Sequence, residues 1–379
     1  MEWKTVKLGD ILKITGGQLY KGDLLGTGDN LLLGMGCVSF LEKFLMKGAR
    51  QYGGDCLDKN IGRPGDIVLA TRQQSDNLPI LAMPAIIPEG LPAKKIIIGS
   101  NLYKVNVIDS DFDNRFIYWL LKTPEYVNYI SSVKTGTTVK MITIKDVENY
   151  TFLCPPKESR DKISKLLWDL DDKIENNNRI NRNLEAQAQA LYKSWFVDFE
   201  PWSGKMPEDW KEYELGEFLP VKTGKKDANI ASKIGTYPFF SCAQDILYTD
   251  SYSFDGNAIL VAGNGDFNVK WYRGRFEAYQ RTYVLIPDDA RYLGWLFYAV
   301  KHNLDKITCG ARGSVIKFIT KGNLENFAFV APKDLENCEI IDKFNIINAN
   351  IEQNQKESQR LAQLRDTLLP KLMRGEIAV

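Results

Sequence analysis

Apolar residues recur at alternating steps of four and three along two long stretches of the chain. Positions 163, 167, 170, 174, 177, 181, 184, 188, 191 and 195 hold Ile, Leu, Leu, Ile, Asn, Asn, Leu, Ala, Leu and Trp. A constant offset (340 − 163 = 177) leads to Ile340, Phe344, Ile347, Ile351, Asn354, Ser358, Leu361, Arg365, Leu368 and Leu372. A seam of this period, kept up over more than four heptads, predicts two long helices paired as a coiled coil. A helix from about 160 to 195 would be roughly 50 Å long. Both seams turn polar in the middle, at Asn177/Asn181 and Asn354/Ser358. Asn177 and Asn354 are candidate register devices, because a buried amide needs a partner at matching height. The alternative is a local splay that admits water.

Ahead of each helical stretch the pattern changes to short β-branched runs bounded by glycine or proline. Asp66–Ala70, Lys95–Ile98 and Ala258–Ala262 read as buried strands, and Arg115–Lys122 and Arg291–Lys301 as short helices. The two halves also repeat. Trp3-Lys4, Leu8-Gly9 and Gly17 match Trp210-Lys211, Leu215-Gly216 and Gly224 (210 − 3 = 207). Gly136, Lys140, Ile142-Thr143, Glu148-Asn149, Phe152 and Pro155 match Gly313, Lys317, Ile319-Thr320, Glu325-Asn326, Phe329 and Pro332 at the smaller offset of 177. The middle of the second copy is therefore shorter by 207 − 177 = 30 residues. A two-copy repeat of this length predicts a pseudo-symmetric pair and not a solenoid. The expected fold is mixed α/β (α+β): two similar globular domains joined by two long antiparallel coiled-coil helices, related by an approximate two-fold axis. The expected boundaries are 1–157, domain one; 158–202, central helix; 203–334, domain two; 335–379, C-terminal helix.

Composition narrows the class. At 379 residues and 44% hydrophobic, the chain has room for more than one core. Six cysteines without a CxxC pair suggest reduced thiols and a cytoplasmic protein. The start lacks an apolar leader, and Tyr292–Val300 is too short to cross a bilayer, so no membrane partner is expected. A formal net charge of +1 means that any basic surface must be local.

Catalytic chemistry is sparse. The single histidine, His302, has no second imidazole for a metal pair and suits a structural role. Thr223-Gly224-Lys225-Lys226 lacks the first glycine and the hydroxyl of a phosphate loop. Cys154-Pro155-Pro156-Lys157 lacks the Asn or Asp and the aromatic of an amino-methyltransferase motif. Catalytic residues, metal ligands and cofactors are all expected to be none.

Binding features remain. Arg72, Gln73, Gln74 and Asn77 follow one predicted strand; Asn264, Asn268, Lys270, Arg273 and Arg275 follow its counterpart. Guanidinium and carboxamide groups on exposed loops suit bidentate contacts with guanine and adenine edges. Thr137, Thr138 and Lys140, with Arg312, Ser314 and Lys317 in the other copy, form small hydroxyl turns suited to phosphate. An ordinary polar hairpin is the plainer reading of each. Tyr192, Phe196 and Phe199 near the end of the first long helix, and Leu369 and Met373 near the end of the second, are candidate docking anchors. Packing onto the globular domains is the alternative.

The run Ala186–Trp202, the ending Leu364–Ile377, and the motifs Trp3…Leu8-Gly9-Asp10 and Gly136-Thr137-Thr138…Lys140…Ile142 closely resemble the DNA-specificity subunits of type I restriction–modification systems. The resemblance covers the whole chain. One departure is Pro155–Arg160 and Pro332–Leu335, where the family often has a Glu-Gln pair before the helix. The resemblance implies a non-catalytic subunit that reads a bipartite site in double-stranded DNA, one half-site per domain, with the helices setting the gap. It implies two modification (methyltransferase) subunits and restriction (motor-nuclease) subunits as partners. S-adenosylmethionine, ATP and magnesium would be needed only in those partners. The rivals are a scaffold that pairs two proteins without reading DNA, and an enzyme with an unrecognised site. The bases recognised are not legible in the sequence.

Overall fold

A computed structural model describes residues 3–74, 79–232, 234–309 and 317–379. The chain divides into two compact units, Met1–Glu175 with Gln359–Val379, and Asn176–Ser358. The expected mixed α/β class is observed.

The two long helices run over Lys157–Phe196 and Glu339–Met373. The first begins directly after Pro155-Pro156 and is over by Phe199, whose backbone is left-handed (φ 51°) and leads into a short 3-10 turn at Glu200–Trp202. The helix expected from about 160 to 195 is covered in full, while the last residues of the segment 158–202 form a turn. None of the twenty seam positions is exposed.

Within each unit the two helix segments are antiparallel, as expected. In the first unit the ion pair Asp171–Arg365 crosses between them, and Ile163, Leu167, Leu369, Leu372 and Met373 share one core. In the second, Asn177 Nδ2 donates to Glu357 Oε2 (2.7 Å) and Asn354 Nδ2 to Asn181 Oδ1 (2.9 Å). The polar middle is therefore held by cross-helix hydrogen bonds, with Asn177 only 1% exposed.

The first unit carries a four-stranded sheet in the order Leu12–Gly16, Leu102–Val107, Ile67–Ala70, Pro84–Ile86. Beside it lies a second sheet in the order Ala49–Tyr52, Leu25–Leu33, Ile96–Ile98, Ile61–Gly62. The second unit has one six-stranded sheet, whose first three strands are Val221–Thr223, Thr282–Leu285 and Phe254–Ala262. All three predicted strands are found. The predicted short helices appear as Asn114–Leu120 and Leu293–His302.

The repeat is visible bond by bond. Lys4–Lys7 pairs antiparallel with Thr151–Cys154, and Trp210–Glu214 with Ala328–Pro332. Leu8 N donates to Tyr150 O, and Leu215 N to Phe327 O, both at 2.9 Å. Thr143 and Asp146 form a capping box, as do Thr320 and Asn323. Gly17 and Gly224 each lie where a Cβ would overlap a backbone carbonyl, that of Gly99 or Tyr279. Side chains there would force strands apart, so glycine is required by close approach.

All six cysteines are free. Among the described residues no helix is long and apolar enough to cross a membrane.

Candidate nucleic-acid interface

Each unit closes one end of its sheet with the same set of hydrogen bonds. In the first, Thr71 N donates to Asn101 O (3.1 Å) and Ile142 N to Thr71 O (3.3 Å). In the second, Gly263 N donates to Arg281 O (2.8 Å) and Ile319 N to Gly263 O (3.0 Å). The Tyr103 hydroxyl donates to Ile142 O (3.0 Å) and the Tyr283 hydroxyl to Ile319 O (2.9 Å). Burial raises the pKa of both phenols, so they remain donors.

This scaffold brings together segments far apart in sequence. The strand Arg72–Gln73 pairs antiparallel with Lys140–Met141, matching Arg72 to Met141. In the second unit Asn264 bridges Phe318, and Gly265 N donates to Lys317 O (3.1 Å). The two nominated segments of each copy therefore meet at one edge. Arg72, Gln74, Thr137, Thr138 and Lys317 are exposed there, and Asn264 is half-buried. Asn77, Arg312 and Ser314 lie outside the described residues.

Several nominated side chains are otherwise engaged, which corrects the expectation that all lie on exposed loops. Gln73 is buried, and its Oε1 accepts from Leu81 N (3.2 Å). Asn268 is buried and donates to Cys242 O and Asp266 O, both at 2.8 Å. Lys270 Nζ donates to Ala243 O and to Asn268 Oδ1, both at 2.6 Å, and burial lowers its pKa. Arg273 and Arg275 stand on the strand Val269–Ala278 and not on a loop. Arg273 is stacked 5.4 Å from the Trp271 ring centroid, and Arg275 is bound to Asp255 (3.1 Å) and lies over Tyr252. Lys140 Nζ donates to Gly136 O (3.1 Å), so it closes its own turn.

The nominated docking anchors are also corrected. Tyr192 and Phe196 are 1% and 3% exposed in the core of the second unit, stacked on each other at 5.2 Å. Leu369 and Met373 are buried in the core of the first. Phe199 is half-buried, edge-on to Trp210 at 5.8 Å. These apolar side chains supply the cores that a helix end needs in order to seat its domain. His302 packs 5.5 Å from Tyr192, with its pKa lowered by burial and then by Lys306 and Lys193.

Sequence reasoning missed one feature at this edge. Ser100-Asn101 and Gln280-Arg281 occupy the corners of tight turns, in which Leu102 N donates to Gly99 O (2.9 Å) and Thr282 N to Tyr279 O (2.8 Å). The signal was present: Tyr103 and Tyr283 stand at a third offset, 283 − 103 = 180. That offset falls inside the region of the length change, between the constant offsets of 207 and 177.

Comparisons with known proteins agree with this architecture. The family described as the type I restriction modification DNA specificity domain matches residues 1–186 and 207–363. The EcoDI specificity subunit of a type I restriction enzyme from Escherichia coli is 40% identical over 179 residues, 46% of this chain and 40% of that relative's length. The MjaIX specificity subunit from Methanocaldococcus jannaschii is 26% identical over 320 residues, 72% of each chain. The crystal structure of a type I restriction–modification S subunit from M. genitalium shares the fold, with a TM-score of 0.61 at 18% identity over 98% of this chain and 96% of that one. With two matched segments that together span most of its length, the chain belongs to the type I restriction–modification DNA-specificity family.

Proposed function

We propose that this chain is the non-catalytic DNA-reading subunit of a type I restriction–modification complex. Each unit reads one half of a bipartite site in double-stranded DNA, and the long helices set the gap between halves. The observation that carries the reading is the meeting of two distant segments at one edge in each copy, Arg72 with Met141 and Asn264 with Phe318. Base-edge chemistry and phosphate chemistry are wanted side by side, since phosphate contacts set register while base contacts specify. The candidate readers are Arg72, Gln74 and Asn77 for one half-site and Asn264 for the other, with Thr137, Thr138, Arg312, Ser314 and Lys317 for phosphate.

Two modification subunits and the restriction subunits are the proposed partners. S-adenosylmethionine, ATP and magnesium would act in those partners, and the complex would work in the cytoplasm. Because Tyr192, Phe196, Leu369 and Met373 belong to cores, partner contacts would fall on other helix faces. The test is to sequence methylated adenines in a methylation-free host carrying this chain with its modification subunit. A single two-part motif with an unspecified gap is the expected result. Protein assembly without any methylated motif or duplex binding would favour the scaffold reading instead.

A further inference from the structure

The two units serve as an internal alignment of one another. Positions that must build the edge are the same in both: Tyr103/Tyr283, Ile142/Ile319 and Thr143/Thr320. Three positions at that edge differ: Ser100/Gln280, Asn101/Arg281 and Met141/Phe318. A conserved frame with a changed lining is what two readers of different half-sites require.

The geometry points to the turn corners Asn101 and Arg281 as specificity-determining residues, assisted by Met141 and Phe318. This rests on the reading of the chain as a DNA-binding subunit. In the second unit Gln280, Arg281, Phe318 and Thr320 line an open cleft of about 440 Å³. The backbone of Arg281 is fixed, since its carbonyl accepts from Gly263 N. Its guanidinium is exposed and makes no hydrogen bond or ion pair among the described residues. That contrasts with Arg273 and Arg275, which are stacked or ion-paired. A free guanidinium on a rigid turn suits the bidentate acceptor edge of guanine, and a carboxamide at the same place suits adenine. The partly exposed apolar side chains at the same edge, Met141 at 42% and Phe318 at 36%, can meet a thymine methyl or a base face.

The experiment is a selection from randomised duplexes, with methylome sequencing of the assembled complex, for the wild type, R281A, R281Q and N101A. R281A should remove one defined base from one half-site and lower cognate binding on the order of tenfold to a hundredfold, leaving the other half-site and the gap unchanged. R281Q should shift that base from guanine toward adenine, and N101A should relax one position in the opposite half-site. Melting curves matching the wild type would exclude misfolding. An unchanged motif with affinity lowered evenly for all duplexes would mean Arg281 touches only phosphate, and would overturn the assignment. A wild-type complex with neither motif nor duplex binding would instead overturn DNA reading itself, and the assignment with it.

Discussion

Breaking the Asp171–Arg365 pair one side at a time should have unequal costs, because a third charge is buried beside it. Both side chains are 6% exposed and join the two long helices within the first unit. Lys122, 8% exposed, feels both charges, and its ammonium also contacts the Tyr118 hydroxyl at 3.0 Å. Asp171→Asn leaves two buried cations, with only the half-exposed Asp366, 2.7 Å from Arg365, in partial compensation. Arg365→Met leaves one anion and one cation, a balanced pair. Removing one partner of a buried pair costs about 3–5 kcal/mol. Asp171→Asn should sit near the top of that range, and Arg365→Met should cost roughly 2 kcal/mol less, since Lys122 becomes the counter-ion. About 4 kcal/mol is a thousandfold change in an opening equilibrium. Hydrogen exchange read on peptides from 114–122 and 157–175 reports the first unit separately, as a chain with two cores need not unfold in one step. The double variant should recover part of the loss, because no unpaired charge remains. Equal costs for the two single variants, or costs within about 0.5 kcal/mol of the wild type, would refute the reasoning.

Lys122 itself makes a pH prediction. Burial lowers its pKa from 10.5 to about 8. Between those two values the unfolded chain binds a proton that the folded chain has lost, so this group adds stability as pH rises across the window. Denaturation midpoints from pH 8 to 10.5 should show that rise in the wild type and lose it in Lys122→Met. Gly17→Ala and Gly224→Ala should each destabilise only their own unit, by about 1–3 kcal/mol or more for an overpacked backbone contact; limited proteolysis that opens both units equally would argue against this. Phe196→Asp should unfold the second unit and not merely weaken a partner contact, which circular dichroism of the isolated chain decides. Four residues inserted between Asn183 and Leu184, about one helical turn, should lengthen the unspecified gap in the methylated motif by roughly one or two base pairs; an unchanged gap in an active variant would count against a ruler.

The sequence by itself determined the architecture, because period and repeat are one-dimensional properties. Alternating steps of four and three can be satisfied only by a long helix with a partner. Two constant offsets were enough to match Leu8 with Leu215 and Tyr150 with Phe327, and the structure then joins each pair by the same hydrogen bond. Even the glycines required by close approach, Gly17 and Gly224, stand at matching places. What only the tertiary structure decided was the use of each polar or apolar side chain within that plan. Gln73, Asn268 and Lys270 have the chemistry of base readers, yet their side chains hydrogen-bond to the backbone of their own unit. Tyr192 and Met373 have the look of an exposed docking stripe, but each lies inside a core built from strands and helices distant in sequence. Burial and partner choice depend on what a fold brings alongside, and no local pattern carries that. For the same reason Asn101 and Arg281 stayed hidden: their corners become comparable only when Tyr103 and Tyr283 are seen holding the same edge.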